Sequence, residues 1–306
     1  MLCTFRKHEV IVLKILEKLY LSGSEVIPNE EMSKHTSIGV GGKVKALIVP
    51  NSSYSFLRAL DILKSSSEDY RVMGLGTNLL VSDDGLDVFV LKMERLSAFE
   101  VRGDLLTAES GISLKRLCEI AASFGLSGME ELYGIPGSLG GAIYMNAGAY
   151  GKEMKDVLEW VELYDDGKIE RFSPKDLEMS YRKSNVKNRI ILRAALKLEK
   201  DSFEKVYERM REYLKRRLEK QPIFEKSAGS LFKRPRPDFY VGSAIEKLGL
   251  KGFSIGDMKI SEKHAGFLVN AGDGKFEDAL KLIEIIKEKI KEKFGETLET
   301  EVRIWR

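Results

Sequence analysis

Eighteen consecutive residues, Gly134 to Gly151, combine six glycines, one proline and no charged side chain. Glycine permits positive φ angles and lets main-chain atoms approach a bound group closely. Pro136 stiffens the start of the turn, and the amides of residues 138–142 are predicted to form a concave set of donors for a phosphate or a polarised ring. Composition alone leaves an ordinary glycine-rich bend between buried strands as the alternative.

A second glycine stretch, G-L-G-T-N-L from Gly74 to Leu79, directly follows a short apolar strand. Its amides predict a nest that suits a pyrophosphate. It is not the dinucleotide fingerprint of a Rossmann fold, because no third glycine opens a long helix. Taken alone, the stretch is also compatible with a plain strand-to-turn bend.

Three polar side chains outside these stretches have types that are common in active sites. Arg182, in Y-R-K-S, carries a planar fork that matches a carboxylate. Ser230, in S-A-G-S-L-F-K-R-P, offers a hydroxyl proton, and Glu301, in L-E-T-E-V-R-I, offers a carboxylate. Without further context, the alternatives are a solvated charge run, a turn serine and a strand-edge glutamate.

Together and in this order, these strings resemble the UDP-N-acetylenolpyruvoylglucosamine reductases of peptidoglycan synthesis. That family belongs to the wider group of FAD enzymes that includes vanillyl-alcohol oxidase. Its pattern G-I-P-G-x-x-G-G-A…M-N-A-G-A-Y-G is matched throughout, and the resemblance extends from Met32 to Arg306. It implies NADPH-dependent reduction of UDP-N-acetylglucosamine enolpyruvate to UDP-N-acetylmuramate, with noncovalent FAD as cofactor and NADPH as co-substrate.

The resemblance also implies roles for individual residues. Ser230 would protonate the enolic carbon, Arg182 would bind the pyruvyl carboxylate and stabilise the intermediate, and Glu301 would help both. The implied FAD contacts are Gly74, Gly76, Thr77, Asn78, Leu79, Gly134, Pro136, Gly137, Ser138, Gly140, Gly141, Ala142, Asn146, Gly148 and Ala149. The implied substrate contacts are Tyr181, Lys220, Lys233 and Arg234, and no metal is implied.

Two departures from the family pattern stand out. Some members carry asparagine where this chain has Arg234, which leaves its part in uridine-diphosphate binding open. One branch of the family inserts a tyrosine-bearing loop after Y-R-x-S, whereas here the next strand begins almost at once. The chain therefore resembles the shorter branch. His264 is compatible with a structural role as well as a functional one.

Hydrophobic periodicity predicts the elements that position these residues. Ser113 is the predicted N-cap of its helix, and Cys118 is predicted to be a core residue. The predicted helices are Val10–Tyr20, Ser53–Lys64, Ser113–Phe124, Phe203–Lys220, Ser243–Leu248 and Phe276–Phe294. The predicted strands end at Pro50 or span Tyr70–Gly74, Leu105–Gly111, Ile190–Leu198, Gly266–Asn270 and Thr300–Trp305, with a hairpin over Val157–Phe172.

These elements and the resemblance predict an α+β fold. We expect a helical extension over residues 1–31 and a two-lobed FAD-binding domain of the vanillyl-alcohol-oxidase type over 32–200. An α+β substrate domain over 201–298 and a terminal strand over 299–306, returning to the flavin site, complete the prediction.

Composition narrows the class of protein further. Fifty Lys and Arg against 47 Asp and Glu give a net charge of +3, which argues against a general nucleic-acid surface. Two cysteines far apart argue against a disulfide framework and a thiolate metal site. The apolar run near the start is too short and too charged to span a membrane. A cytoplasmic protein, expected to be monomeric, is the resulting prediction.

Two other functions remain open at the level of sequence. An oxidase or dehydrogenase with the same flavin fold would share the glycine stretches but would not require Arg182, Ser230 and Glu301 together. A non-catalytic nucleotide-sugar-binding protein would keep the fold without turnover.

Overall fold

A computed structural model describes the backbone of residues 2–306 and the side chains from residue 11 onward. The helices are α1 Leu2–Leu21, α2 Ser53–Ser65, α3 Leu114–Ser123, α4 Leu139–Tyr144, α5 Phe203–Lys220, α6 Val241–Lys247 and α7 Phe276–Phe294. The strands are β1 Ser24–Pro28, β2 Val44–Pro50, β3 Tyr70–Met73, β4 Leu79–Val81, β5 Leu86–Lys92, β6 Phe99–Arg102, β7 Leu105–Glu109, β8 Leu126–Ser127, β9 Gly148–Ala149, β10 Lys152–Glu153, β11 Leu158–Asp165, β12 Lys168–Phe172, β13 Ile190–Lys197, β14 Glu199–Lys200, β15 Lys226–Ser230, β16 Ser254–Ile255, β17 Met258–Ile260, β18 Phe267–Asn270 and β19 Arg303–Trp305.

Packing divides the chain into two units. The first contains the residues up to Glu30 together with Val44–Leu75 and Asp87–Glu208. The second contains Glu31–Lys43, Gly76–Leu86 and Arg209–Arg306. Two short segments of the predicted FAD domain therefore pack with the C-terminal third of the chain. The assignment of cofactor and substrate binding to separate domains stays a prediction.

The first unit is built on two sheets. One has the strand order β1-β2-β5-β3, and the other has the order β12-β11-β13-β7-β6, with β13 at its centre. Helix α2 packs Phe56, Leu60 and Leu63 into a fully buried core with strands β2 and β5. The predicted hairpin is confirmed, because β11 and β12 pair antiparallel around a tight turn. The predicted strand Ile190–Leu198 is confirmed as β13.

The second unit contains the antiparallel sheet β15-β18-β17-β16 and the parallel pair β19-β4. Helix α7 covers this core with one apolar face, on which Ile283, Ile286 and Ile290 are buried. Its bounds match the predicted helix, and it ends at Gly295 with a φ of +74°. Glycine is favoured at such an end because it adopts the left-handed conformation without strain.

The N-terminal helix is confirmed, but the apolar face predicted from helical spacing, with Val10, Leu13, Leu16 and Tyr20, is only partly right. Leu16 packs against the core of the first unit, in which Ile15 and Leu19 are buried, whereas Leu13 and Tyr20 are exposed. Several apolar residues in this segment share helical spacing, so periodicity alone did not identify the face that packs. The side chain of Val10 lies outside those that the structure describes. Over the described residues, no helix is long and apolar enough to cross a bilayer.

Candidate active site

The glycine stretch Gly134–Gly151 folds into a short helix followed by a small hairpin. Ser138 caps helix α4, since its Oγ accepts a hydrogen bond from the Gly141 amide at 3.3 Å. Ser138 is buried, whereas Pro136 and Gly141 are exposed and Gly137 is half-buried. This part of the stretch therefore offers accessible backbone with almost no side chain in front of it.

The predicted set of free amides over residues 138–142 is wrong in detail. The Leu139 amide donates to the Ile112 carbonyl at 2.8 Å, and the Gly140 amide donates to the Ser110 carbonyl at 2.8 Å. The Ala142 amide donates to Ser138 within the helix. The glycine count did not show that this run begins a helix and pairs with a neighbouring loop. A phosphate near Gly140 would need donors from elsewhere.

Glycine is required at Gly140 and Gly148 by packing. A Cβ at Gly140 would lie 2.9 Å from the Ser110 Cβ, and one at Gly148 would overlap the Lys152 carbonyl. Gly148 and Ala149 form strand β9, which pairs with β10. Both residues are half-buried. These glycines keep two backbone segments in direct contact beside the accessible part of the loop.

Gly74 lies against the same loop in the first unit. A Cβ at Gly74 would overlap the Ser138 hydroxyl, so this glycine lets the end of strand β3 approach the cap of α4. Gly134, on the other side of the loop, is half-buried. The structure thus brings the first residue of the G-x-G-x-N stretch to the main glycine stretch, as expected for two parts of one ligand-binding surface.

The rest of the G-x-G-x-N stretch belongs to the second unit and is tied there by hydrogen bonds. Gly76 has a φ of +70°, and its carbonyl accepts the Ser37 amide at 3.1 Å. Ser37 Oγ in turn donates to the Ser227 carbonyl at 2.5 Å. The polar loop His35–Gly42, which contains Ser37, therefore lies beside the stretch. Ser37 is not among the predicted site residues.

Asn78 joins this stretch to the terminal strand. Its Nδ2 donates to the Glu301 carbonyl at 3.1 Å, and its carbonyl accepts the Arg303 amide at 3.0 Å. Strands β4 and β19 then run parallel, with Leu79 opposite Arg303. Thr77, which precedes Asn78 in the sequence, is half-buried. The predicted return of the terminal strand to this stretch is supported by these bonds.

Ser230 and Glu301 are neighbours in the second unit. The Glu301 amide donates to the carbonyl of Leu231, the residue after Ser230, at 2.9 Å. Strand β15 is irregular between Ser227 and Ser230, and Gly229 has a φ of +82° there. A bulge of this kind redirects the side chain that follows it. Both Ser230 and Glu301 are half-buried and thus reachable by a ligand.

Arg182 occupies a tight turn in the first unit, close to the glycine stretch. Its Nη2 donates to the Gly148 carbonyl at 2.9 Å. Its guanidinium lies 5.1 Å from the ring centroid of Tyr181, which is exposed. The sequence did not reveal the contact with Gly148, because the two residues are far apart in the chain.

The cationic substrate candidates lie in the second unit. Lys220 is exposed at the end of helix α5. Lys233 is half-buried and pairs with Glu299 at 2.5 Å, while Arg234 is exposed and lies 4.5 Å from the ring centroid of Tyr240. Lys233 would have to exchange a carboxylate for a substrate phosphate, whereas Arg234 presents its charge to solvent.

The surroundings of Cys118 and His264 support structural roles for both residues. Burial raises the pKa of the Cys118 thiol well above its usual range, so the predicted core role is supported against a nucleophilic one. Burial lowers the pKa of His264. Its Nδ1 accepts the Gly266 amide at 3.0 Å, which requires the neutral ring nitrogen as acceptor.

Both glycine stretches fit the pyrophosphate and ring system of FAD. Neither Gly74–Leu79 nor Gly134–Gly151 contains an acidic residue, and each keeps half-buried or exposed backbone. Neutral amides at the Gly74–Leu79 turn are donors that a diphosphate accepts. The amides of residues 139–142 are engaged within the protein, so the stretch Gly134–Gly151 offers close approach of its backbone instead. Among the described residues, no cluster of three or more His, Cys, Asp or Glu side chains is arranged to hold a metal ion.

Comparison with known proteins identifies the family. A family model described as the C-terminal domain of UDP-N-acetylenolpyruvoylglucosamine reductase matches residues 221–305. The UDP-N-acetylenolpyruvoylglucosamine reductase of Thermotoga sp. (strain RQ2) is 52% identical over 95% of this chain and 97% of its own length. The chain belongs to the UDP-N-acetylenolpyruvoylglucosamine reductase family. The family member from Fervidobacterium nodosum is 46% identical over 97% of both chains.

A solved structure of the reductase family agrees with this fold. The crystal structure of the enzyme from Thermus caldophilus superimposes with a TM-score of 0.79 at 34% identity, covering 92% of this chain and 99% of that one. A model of an FAD binding domain matches residues 44–173. These findings confirm the predicted α+β fold class, FAD as the cofactor and an FAD-dependent oxidoreductase as the class of enzyme.

Proposed function

We propose that this member of the reductase family reduces UDP-N-acetylglucosamine enolpyruvate to UDP-N-acetylmuramate with NADPH, in the synthesis of peptidoglycan precursors. The observation that carries the proposal is the set of hydrogen bonds that ties Gly76, Asn78 and Glu301 to the strand of Ser230. An alcohol oxidase on the same flavin fold needs a group that accepts the hydroxyl proton of its substrate, but it needs no donor of a proton to carbon such as Ser230.

FAD is proposed to lie on the backbone of the two glycine stretches. The accessible backbone around Gly137 and Gly141 and the half-buried residues Gly74, Thr77 and Asn78 would hold it. When bound, FAD supplies hydride to the carbon–carbon double bond of the enolpyruvyl group.

The chain's own residues are proposed to manage charge and protons. The Arg182 guanidinium binds the pyruvyl carboxylate and meets the negative charge that develops as the double bond is reduced. Ser230 Oγ delivers a proton to the neighbouring carbon, which completes addition of one hydride and one proton across the bond. Glu301 helps to orient and stabilise this arrangement.

The substrate's diphosphate is proposed to bind cationic side chains of the second unit. Arg234 presents an exposed guanidinium, and Lys220 lies exposed at the end of α5. Lys233 contributes after exchanging Glu299 for a phosphate. Tyr181 contributes an exposed ring beside Arg182.

Localisation and assembly are part of the proposal. Two cysteines far apart in sequence suit a reducing compartment. We accordingly propose a monomer that acts in the cytoplasm, where NADPH and nucleotide sugars are available.

The Ser230→Ala variant tests the proposed reaction. Removing Oγ should lower turnover by at least about a hundredfold, the lower end of the range for a general acid. Anaerobic reduction of the bound flavin by NADPH, followed by absorbance, should stay within about twofold of the unsubstituted enzyme, because Ser230 acts only on the second substrate.

The Ser254→Ala variant is the matched control. Ser254 lies exposed on strand β16 of the same unit, away from strand β15. It should retain most of its turnover. Full turnover in the Ser230→Ala variant, or an equal loss in both variants, would contradict the assignment of Ser230 as the proton donor.

A further inference from the structure

We propose that Asn146 is a positioning residue that fixes the Arg182 turn against the glycine stretch, and that its side chain does not touch the cofactor. The inference rests on the proposed function, because it concerns the guanidinium that binds the substrate carboxylate. Asn146 is 0% exposed. A cofactor bound on the accessible backbone of the loop would therefore not meet its side chain.

The Asn146 side chain makes three hydrogen bonds to other protein groups. Nδ2 donates to the Ser180 carbonyl at 2.9 Å and to Glu153 Oε2 at 3.0 Å. Oδ1 accepts the Lys155 amide at 3.0 Å. The orientation of the side-chain amide follows from these partners, because two acceptors face the nitrogen and a donor faces the oxygen.

Ser180 is the first residue of the turn that carries Arg182. Ser180 and Lys183 exchange two backbone hydrogen bonds of 3.0 Å each, so Tyr181 and Arg182 form the tip. Arg182 has a φ of +51°, in the left-handed region that favours glycine. A residue other than glycine keeps such a conformation when the surrounding structure over-determines it. The Asn146–Ser180 hydrogen bond is one such constraint.

The other end of the turn is tied to the same short segment. Ser184 Oγ donates to the Tyr144 carbonyl at 2.6 Å, and Arg182 itself reaches the Gly148 carbonyl. The turn is thus anchored to residues 144, 146 and 148 in succession. Asn146 anchors the turn with its side chain, and it also ties the turn to hairpin strand β10 through Glu153. Without Asn146, the turn can relax and displace the guanidinium.

A double-mutant cycle between Asn146 and Arg182 tests this role. Asn146→Ala should slow reoxidation of the reduced flavin by UDP-N-acetylglucosamine enolpyruvate by about tenfold or more, as expected for a displaced binding group. Reduction by NADPH and the FAD content of the purified enzyme should change by less than about twofold. In the Arg182→Ala background, Asn146→Ala should add less than about a twofold further loss.

Other variants guard against a general loss of folding. Asn146→Asp keeps the size of the side chain and the acceptor for Lys155 but loses both donated bonds, so it should show the same defect. Ser184→Ala removes the second anchor and should give a milder defect of the same kind. Ser55→Ala, which removes a buried hydroxyl from helix α2 in the same unit, is the control and should leave both half-reactions unchanged.

The possible failures are distinguishable. If the unsubstituted enzyme is not reoxidised by UDP-N-acetylglucosamine enolpyruvate, the proposed function is wrong. If it is reoxidised normally but Asn146 and Arg182 substitutions lower the rate additively, or Asn146→Asp behaves as the unsubstituted enzyme, only the positioning role is wrong. A large loss of FAD from Asn146→Asp with a normal reoxidation rate would return Asn146 to the cofactor contacts.

Discussion

At the scale of residues, surroundings decide which polar groups are structural and which are available for chemistry. His264 packs edge-on against Phe267, with ring centroids 5.0 Å apart, and accepts the Gly266 amide. Ser230 and Glu301, in the same unit, are half-buried, and the Glu301 carbonyl accepts a hydrogen bond from Asn78 of the G-x-G-x-N stretch. The sequence alone left His264 open between the two roles.

The state of His264 predicts a pH dependence of stability. Burial lowers the pKa of His264 in the folded protein, whereas the unfolded chain has an ordinary value of about 6.5. The unfolded state therefore binds the proton more readily. The contribution of His264 to stability is fully present above the unfolded pKa and is lost as the pH falls below it.

Urea unfolding across about pH 7.5 to about pH 5.5 measures this effect. The free energy of unfolding should fall more steeply with acid in the unsubstituted protein than in the His264→Gln variant. Parallel pH curves for the two proteins would contradict a neutral, buried His264.

The role of a residue could be predicted from sequence where a chemically suitable side chain lies within a long motif. It could not be predicted where the role depends on a hydrogen-bond partner that is distant in the sequence. The types of Arg182, Ser230 and Glu301 already suit the proposed reaction, and two of them are found side by side. Asn146 was predicted as a cofactor contact, whereas its burial and its bond to Ser180 support the positioning role that we propose for it. No local pattern encodes a hydrogen bond between residues 34 positions apart.

At the scale of elements, periodicity predicted helices and strands better than it predicted their contacts. Helices α5 and α7 have the predicted bounds, and Ser113 caps α3 as expected, accepting the Arg116 amide at 3.2 Å. The amides after Ser138 were assigned to a ligand but belong to helix α4 and its neighbouring loop. A high frequency of glycine indicates that another group lies close to the backbone. It does not distinguish a ligand from another segment of the chain.

The contact between Gly74 and Ser138 yields a prediction about how the end of β3 meets helix α4. Gly74→Ala should lower the FAD content and the thermal midpoint, because the added methyl group overlaps the Ser138 hydroxyl. Ser138→Ala removes that hydroxyl at the expense of a helix cap, which costs about 1 kcal/mol.

The double variant separates the two effects. In the Ser138→Ala background, Gly74→Ala should cost less stability than it does alone, because the overlapping atom is gone; thermal unfolding of the four proteins measures this coupling. Strictly additive losses would show that Gly74 is required for another reason.

At the scale of the whole molecule, each of the two units is built from three separate segments of the chain. Residues 31–43 and 76–86 pack with the C-terminal third, and Ser37 meets Ser227 from 190 positions away. Helices and strands of both units were predicted from the sequence. The assignment of residues 31–43 and 76–86 to the second unit was not. Predicted site residues occur in both units, with Arg182 in the first and Ser230 and Glu301 in the second.

The anaerobic flavin cycle tests the central claim most directly. The purified protein is reduced with NADPH without oxygen, and the flavin absorbance is followed while UDP-N-acetylglucosamine enolpyruvate is added. We expect the oxidised spectrum to return rapidly. One UDP-N-acetylmuramate should form per flavin. A flavin that stays reduced with this substrate, but is reoxidised by oxygen or a quinone, would contradict the proposed reaction and favour an oxidase or dehydrogenase.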